Sequence, residues 1–395
     1  MKIKIEAMDH NGSGIGRIDD KVVFVPKSIV GDYVDAEVIR DNKKYMNGII
    51  KEIITPSSKR QEAICPYYEK CGGCQISNLS YLEQLEFKKN KVKNIFSKYL
   101  NKSIDPVIID SDKRYQYRNK ITFHNEGELG LVSIENRCMP IDRCLLVSDK
   151  VNQIYELIKR EDTSRLDKLI IKECDNGIIL SIYGIINYNK FRDLCISIYV
   201  DDKRVYFKEE GYIYVKDIKY LISNKSFFQI NTSNISKLYD LIIQYGKFNG
   251  TERVIDLYCG VGSISLYVSR YVDSVLGIEI VDDAIKDARK NANNNMISNV
   301  SFICSDVSLV IDDNINCDVL IVDPPRVGID KHTIDVINKS GIKKIIYVSC
   351  DPMTLVRDIK RLDNYEFVDI TLVDMFPQTH HVECVSVLHR KSLEK

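Results

Sequence analysis

No apolar run in the 395-residue chain approaches the length of a membrane span, so a helical membrane protein is excluded. The first ten residues, MKIKIEAMDH, alternate charged and apolar side chains and lack the apolar stretch of a signal peptide. The expected location is therefore the cytoplasm, with no membrane partner. An excess of one charge is also missing. Lys and Arg number 56, and so do Asp and Glu. Global charge thus announces no nucleic-acid binder, although a local basic face would suffice for one. No internal repeat or low-complexity tract occurs, which excludes a repeat array. What remains is an ordinary globular balance, 44% hydrophobic and 28% charged, in a chain long enough for two or three domains.

Cysteine, by contrast, is plentiful. Twelve are many for a reducing compartment, where metal binding or catalysis explains clusters better than disulfides do. Three lie in CPYYEKCGGCQ, Cys65 to Gln75, spaced C-x5-C-x2-C. Zinc would want a fourth ligand, often in a second close pair, and this segment has no partner pair. A redox C-x-x-C expects a thioredoxin-like setting, which KCGGC lacks. Four thiolates could hold a [4Fe–4S] cluster. The residues alone leave these readings open.

Residues 1 to about 58 read as short strands with turns, which predicts a small β-barrel. G-x-G-R followed by VFVPKSIVGDYVDAEVI resembles a TRAM domain, an OB-like barrel found on RNA-modifying enzymes. TPSSKR reads as a linker. A helix rich in Lys and Glu is predicted from about Tyr81 to Leu100, and residues 112–222 mix strands and helices. From Arg253 strands and helices alternate regularly, which predicts a doubly wound parallel sheet.

DLYCGVG follows the first strand of that sheet and opens a helix. Gly260 and Gly262 let the backbone approach a ligand, and Glu279, at the end of the second strand, can hydrogen-bond a ribose diol. Asp256 on the first strand argues against a pyrophosphate, and Ser265 stands where a dinucleotide site would have Gly or Ala. D-x-x-x-G-x-G, Glu279 and DPP together resemble the S-adenosylmethionine-dependent methyltransferase fold. That cofactor carries a sulfonium cation and no phosphate. Another nucleotide binder is the alternative. YVSCDP places Cys350 just past a strand and ahead of a helix, where thiolate is favoured and ligand sites of open α/β sheets lie.

FFQIN, DLYCGVGSISL, GIEIV, DPPRVG, VSCDPMTLVRDI and DMFPQTHHVE resemble, in order and spacing, the RNA uridine-5-methyltransferase family, most closely its ribosomal RNA branch. With the barrel and the cysteines, the resemblance spans essentially the whole chain. It implies a TRAM-like barrel over 1–58 and a central α+β domain with the cluster over 59–80 and 112–222. It further implies a helical segment, 81–111, packed on the catalytic domain, and a Rossmann-like methyltransferase domain over 223–395. It implies Cys350 as nucleophile toward C6 of uracil and Glu383 as the base that takes the C5 proton. Gln229, Tyr258, Glu279 and Asp323 would hold the cofactor, with Ser263 and Asp306 as weaker candidates. Cys65, Cys71, Cys74 and Cys144 would ligate a [4Fe–4S] cluster, Cys138 being the rival for the fourth place. The cluster is expected to organise an RNA-binding surface, Phe227 to stack on RNA or fill a core, and the protein to act as a monomer on large-subunit ribosomal RNA. A transfer-RNA substrate, a non-catalytic RNA-binding or assembly protein, and a cytosine-5 methyltransferase are the competing readings. The last usually shows Pro-Cys where this chain has Ser349–Cys350.

Overall fold

The computed structural model describes residues 1–311 and 317–392. The first six strands, between Lys2 and Thr55, form one curled sheet. Alternating side chains bury Ile3, Ile5, Val23, Val25, Val34 and Ala36 inside it. Gly16 lets the curl close, because a Cβ there would lie 2.6 Å from Ile3.

A seven-stranded sheet covers Lys120 to Phe207 and packs against the helix Asp149–Lys159. Phe123 of the sheet stacks on Tyr155 of the helix with ring centroids 3.8 Å apart. The following hairpin, Gly211–Val215 with Ile218–Ile222, forms its own two-stranded sheet. Its Ile213, Ile218 and Tyr220 are buried in the same core as Leu238, Val254 and Tyr267 of the catalytic half.

The C-terminal sheet has eight strands. Val300–Cys304, Ser274–Glu279, Arg253–Leu257, Val319–Val322 and Lys344–Ser349 lie side by side and parallel. Beyond them come Glu383–Arg390, then Tyr365–Val373, then Val107–Ile109. The expectation of a parallel sheet is corrected at Glu383–Arg390, which runs antiparallel to both neighbours. The reason is the short connection, residues 374–382. A parallel neighbour needs a crossover of a dozen residues or more, and this loop has none. The outermost strand, Val107–Ile109, comes from before the seven-stranded sheet, so the C-terminal sheet is completed by chain from the N-terminal half.

The helix Tyr81–Leu100 starts at Ser80, whose hydroxyl accepts from the Glu83 amide. Its buried face reads Tyr81, Gln84, Lys88, Val92, Ile95 and Phe96, a helical repeat of threes and fours with polar members at its N-terminal end. Lys88 is fully buried and donates to Asp374 at 2.6 Å and to the Phe376 carbonyl at 3.0 Å. Tyr81 donates to the other Asp374 oxygen at 2.8 Å. Breaking one side of a buried ion pair strands the other charge. Lys88→Met is therefore expected to lower stability by about 3–5 kcal/mol in a urea titration. A loss within about 0.5 kcal/mol, the range of an unremarkable surface change, would refute this docking. No helix among the described residues is long and apolar enough to cross a membrane.

Candidate functional site

Parallel strands put their carboxyl ends on one edge of a sheet, and here the predicted residues follow that edge in order. Asp306 comes after Val300–Cys304, Glu279 ends the next strand, and Tyr258 follows Arg253–Leu257. Asp323 follows Val319–Val322 and Cys350 follows Lys344–Ser349. Glu383 completes the row from the opposite direction. Ser349 pairs with Cys384 across the antiparallel ladder, so one further step sets Cys350 opposite Glu383.

Glu279 is held as a bent acceptor. One oxygen accepts from the Gly260 amide at 3.2 Å, the other from the Val281 amide at 2.9 Å. Gly262 has φ +76°, and a Cβ there would lie 2.8 Å from the Phe302 ring, so only glycine fits. Tyr258 also takes a left-handed φ, +65°, where a bulky residue is strained and persists only because its surroundings hold it. Ser263 opens the short helix Ser263–Val268, and its carbonyl accepts from the Tyr220 hydroxyl at 2.9 Å. Asp306 caps the turn Val307–Val310, taking the Ser308 amide and hydroxyl at 2.8 and 2.7 Å. Gln229 stands apart from the row. It is buried in the segment ahead of the helix Thr232–Gly246, and its carbonyl accepts from Asn119 at 3.0 Å. Two residues earlier, Phe227 is 69% exposed, which settles against its core reading.

Carboxylates crowd this edge. Burial, with Asp323 and Glu279 nearby, pushes Asp256 up to about 7, although the Ser265 hydroxyl donates to it at 2.5 Å. Its second oxygen has no partner. Burial alone takes Asp323 to about 7. Burial and the Asp323 charge take Glu383 to about 8, while the Arg326 guanidinium pulls it back. A cationic ligand fits this edge, because positive charge would relieve all three.

Cys350 differs from the thiolate expected at a helix N-terminus. Burial first, then Glu383, raise its thiol to about 11, with Arg326 opposing. The helix Pro352–Arg361 offers little help, because Asp351 already takes its free Met353 and Thr354 amides at 2.8 and 3.1 Å. Arg326 was quoted in DPPRVG without a role. Its signal in the sequence is a cation three residues beyond a strand-end carboxylate.

The second cluster lies in the central domain. Cys65, Cys71, Cys74 and Cys144 line one cavity of about 530 Å³, with Arg118 in its wall. Cys138 lies elsewhere, with its thiol against the His124 and Glu128 carbonyls. Among the described residues, no three His, Cys, Asp or Glu side chains converge tightly enough for a single metal ion. In an iron–sulfur cube each thiolate takes its own iron, so four sulfurs spread around a cavity suit that group better than zinc. The Gly73 amide points at the Cys71 sulfur, 3.4 Å away. Lys27, reaching in from the barrel, is buried over the Tyr68 ring and donates to the Cys71 carbonyl at 2.9 Å and to the Cys74 carbonyl. Among the described ion pairs neither the buried Lys27 nor the half-buried Arg118 has a carboxylate partner, and a buried cation calls for an anion. The donor set therefore fits an anionic thiolate-bound group. Sequence reasoning missed Lys27, which lies within the quoted VFVPKSIVGDYVDAEVI but far along the chain from the cysteines.

Sheet order and edge define the class, a Rossmann-like methyltransferase of the kind that uses S-adenosylmethionine. The model of the tRNA (uracil-5-)-methyltransferase family matches residues 196–391, and that of the TRAM domain residues 1–51. An uncharacterized RNA methyltransferase of Clostridium acetobutylicum is 33% identical over 98% of this chain and 96% of its own. One from Halalkalibacterium halodurans is 32% identical over 99% and 97%. The crystal structure of Pyrococcus abyssi tRNA (uracil-54, C5)-methyltransferase in complex with S-adenosyl-L-homocysteine is similar over 98% of this chain and 99% of its own. Its TM-score is 0.84 at 25% identity. The chain belongs to the uracil-5 RNA methyltransferase family.

Proposed function

We propose that this protein methylates C5 of a uridine in 23S ribosomal RNA, using S-adenosylmethionine. The observation that carries the reading is that Cys350 and Glu383 each adjoin the last pair of the antiparallel ladder, Ser349 with Cys384, at the carboxyl edge of the sheet, with the Glu383 charge acting on the Cys350 thiol. Uracil C5 is too weak a nucleophile to take a methyl group unaided. The Cys350 thiolate adds to C6, and the electron pair of the C5–C6 bond makes C5 an enolate carbon. S-adenosylmethionine, when bound, supplies an electrophilic methyl group to that carbon. Glu383 then removes the remaining C5 proton, the C5–C6 double bond re-forms, and the Cys350 sulfur leaves. Glu279 holds the ribose diol, while Tyr258, Asp323 and Gln229 line the cofactor site, with Ser263 and Asp306 at its margin. The target base must leave its stack to reach Cys350. The exposed Phe227 is suited to fill or face the gap.

A transfer-RNA substrate is the second reading, favoured by the full-length likeness to the Pyrococcus abyssi enzyme. Labelled cofactor with 23S ribosomal RNA and bulk transfer RNA in separate reactions decides between them. Label in the ribosomal RNA alone is the expected result, label in transfer RNA alone overturns it, and label in neither would leave a binding or assembly role.

The cysteine cavity is read as a [4Fe–4S] site held by Cys65, Cys71, Cys74 and Cys144. Protein purified without oxygen is expected to carry about four irons per chain. Cys144→Ala should lose them and Cys138→Ala should keep them, as measured by iron assay and visible absorption. Stoichiometric zinc, or iron retained in Cys144→Ala, would overturn the assignment.

A further inference from the structure

Gln378 lies five residues before Glu383, in the loop that returns the chain to the catalytic edge. It is buried, 3% exposed, and has a left-handed φ of +71°. All its polar atoms are engaged by residues outside its own loop. Its carbonyl accepts from the Gln75 and Ile76 amides at 3.1 and 3.2 Å, the two residues that follow Cys74. Its side-chain oxygen accepts from the Ser77 hydroxyl at 2.9 Å and from Gln84 at 3.0 Å. Its own amide donates to the Gln84 oxygen at 2.9 Å, and its side-chain nitrogen to the Arg114 carbonyl at 3.4 Å.

The rest of the loop is gripped from the same side. The Tyr117 hydroxyl donates to the Pro377 carbonyl at 3.0 Å, and Lys91 donates to the His380 carbonyl at 3.1 Å. A strained non-glycine backbone persists where its surroundings over-determine it, and these bonds are what does so here. The end of the cysteine segment is thus bonded directly to the loop that leads into the strand of Glu383.

We propose that Gln378 is a positioning residue, a clasp through which the cysteine segment holds Glu383 in place opposite Cys350. The proposal rests on the reading of Glu383 as the base. It makes the cysteine site a support of the catalytic step as well as of RNA binding. When the cavity holds its group, residues 71–78 are pinned, Gln378 is held, and the carboxylate is aimed. When the cavity is empty, the loop loosens while the cofactor loops, on other strands, keep their order.

The test uses the full chain with Gln84→Leu, which removes two bonds to Gln378 at nearly constant volume, and Ser77→Ala, which removes one. Hydrogen exchange of residues 379–383 is expected to quicken by about tenfold or more in Gln84→Leu, and less in Ser77→Ala. Exchange in Arg253–Leu257 and Lys344–Ser349 should be unchanged, which separates this effect from misfolding. Turnover should fall about tenfold, with KM for RNA and for S-adenosylmethionine within about twofold. Treating the wild-type protein with an iron chelator should quicken exchange in the same residues. Unchanged exchange at 379–383 in both variants, or a loss lying wholly in KM for RNA, overturns the clasp. Metal content and methyl transfer are measured on the same samples. A clasp that responds in protein without iron, or without methyl transfer, would stand while the cluster or the methyltransferase reading fell.

Discussion

Cys350→Ser protein is expected to bind S-adenosylmethionine as the wild type does and to methylate no RNA. The thiol activates the base and takes no part in holding the cofactor, whose candidate residues Glu279, Tyr258 and Asp323 lie at other strand ends. A serine hydroxyl at this place is far less acidic than a thiol. The burial that chiefly raises the thiol to about 11, with Glu383 next, would act on it too. Nothing would then add to C6, and turnover should fall by more than about 10,000-fold. The two readouts are calorimetric binding of the cofactor and incorporation of labelled methyl. Turnover within about tenfold of wild type would remove Cys350 from the mechanism. Loss of cofactor binding would move it into the cofactor site.

Glu383→Gln should stop the reaction one step later. The amide keeps the shape and cannot accept the C5 proton, so methyl transfer proceeds and elimination stalls. A covalent protein–RNA band on a denaturing gel is expected, with release of product slowed about 100- to 10,000-fold. Free methylated RNA at the wild-type rate, without such a band, would refute the role. The same substitution has a pH signature in stability. The folded carboxyl sits at about 8 against an ordinary 4.5, so between those values the folded protein binds more protons than the unfolded chain. This group's contribution is therefore fully present below pH 4.5 and is lost as pH rises through 8. Glu383→Gln should be more stable than wild type at pH 8 and gain less at pH 5. Equal gains at both would place the carboxyl at an ordinary pKa.

The cofactor edge was legible because its signals are local. A buried strand, a glycine turn and a helix follow one another within a few residues, and the strand-end acids fall where parallel strands must end. The register of Cys350 against Glu383 was not legible. It depends on an inserted antiparallel strand, which only the short length of the 374–382 loop betrays. The helix Tyr81–Leu100 was read as rich in Lys and Glu, and its buried face hides Gln84 and Lys88 among such residues. Their partners, Gln378 and Asp374, lie nearly 300 positions away. Against the thiolate expectation for Cys350 stand its burial first and the Glu383 charge next, and Asp351 takes the helix amides that would have opposed them. Barrel and cysteines together pointed to ribosomal RNA, yet a transfer-RNA enzyme of Pyrococcus abyssi matches the full architecture. Domain composition therefore does not by itself distinguish the two substrates.

The strand Val107–Ile109 pairs with Tyr365–Val373, and Lys88 with Asp374. On a translating ribosome Asp374 is made 286 residues after Lys88. At about 5–20 residues per second the N-terminal helix waits roughly 14–57 seconds for its partners to emerge. A helix with an apolar stripe would spend that time exposed to chaperones and to other nascent chains. Gln84 and Lys88 make the first half of this stripe hydrophilic until Gln378 and Asp374 arrive to bury it. The polar residues that tie the two ends of the chain together thus also leave less apolar surface on the helix while the rest of the chain is made.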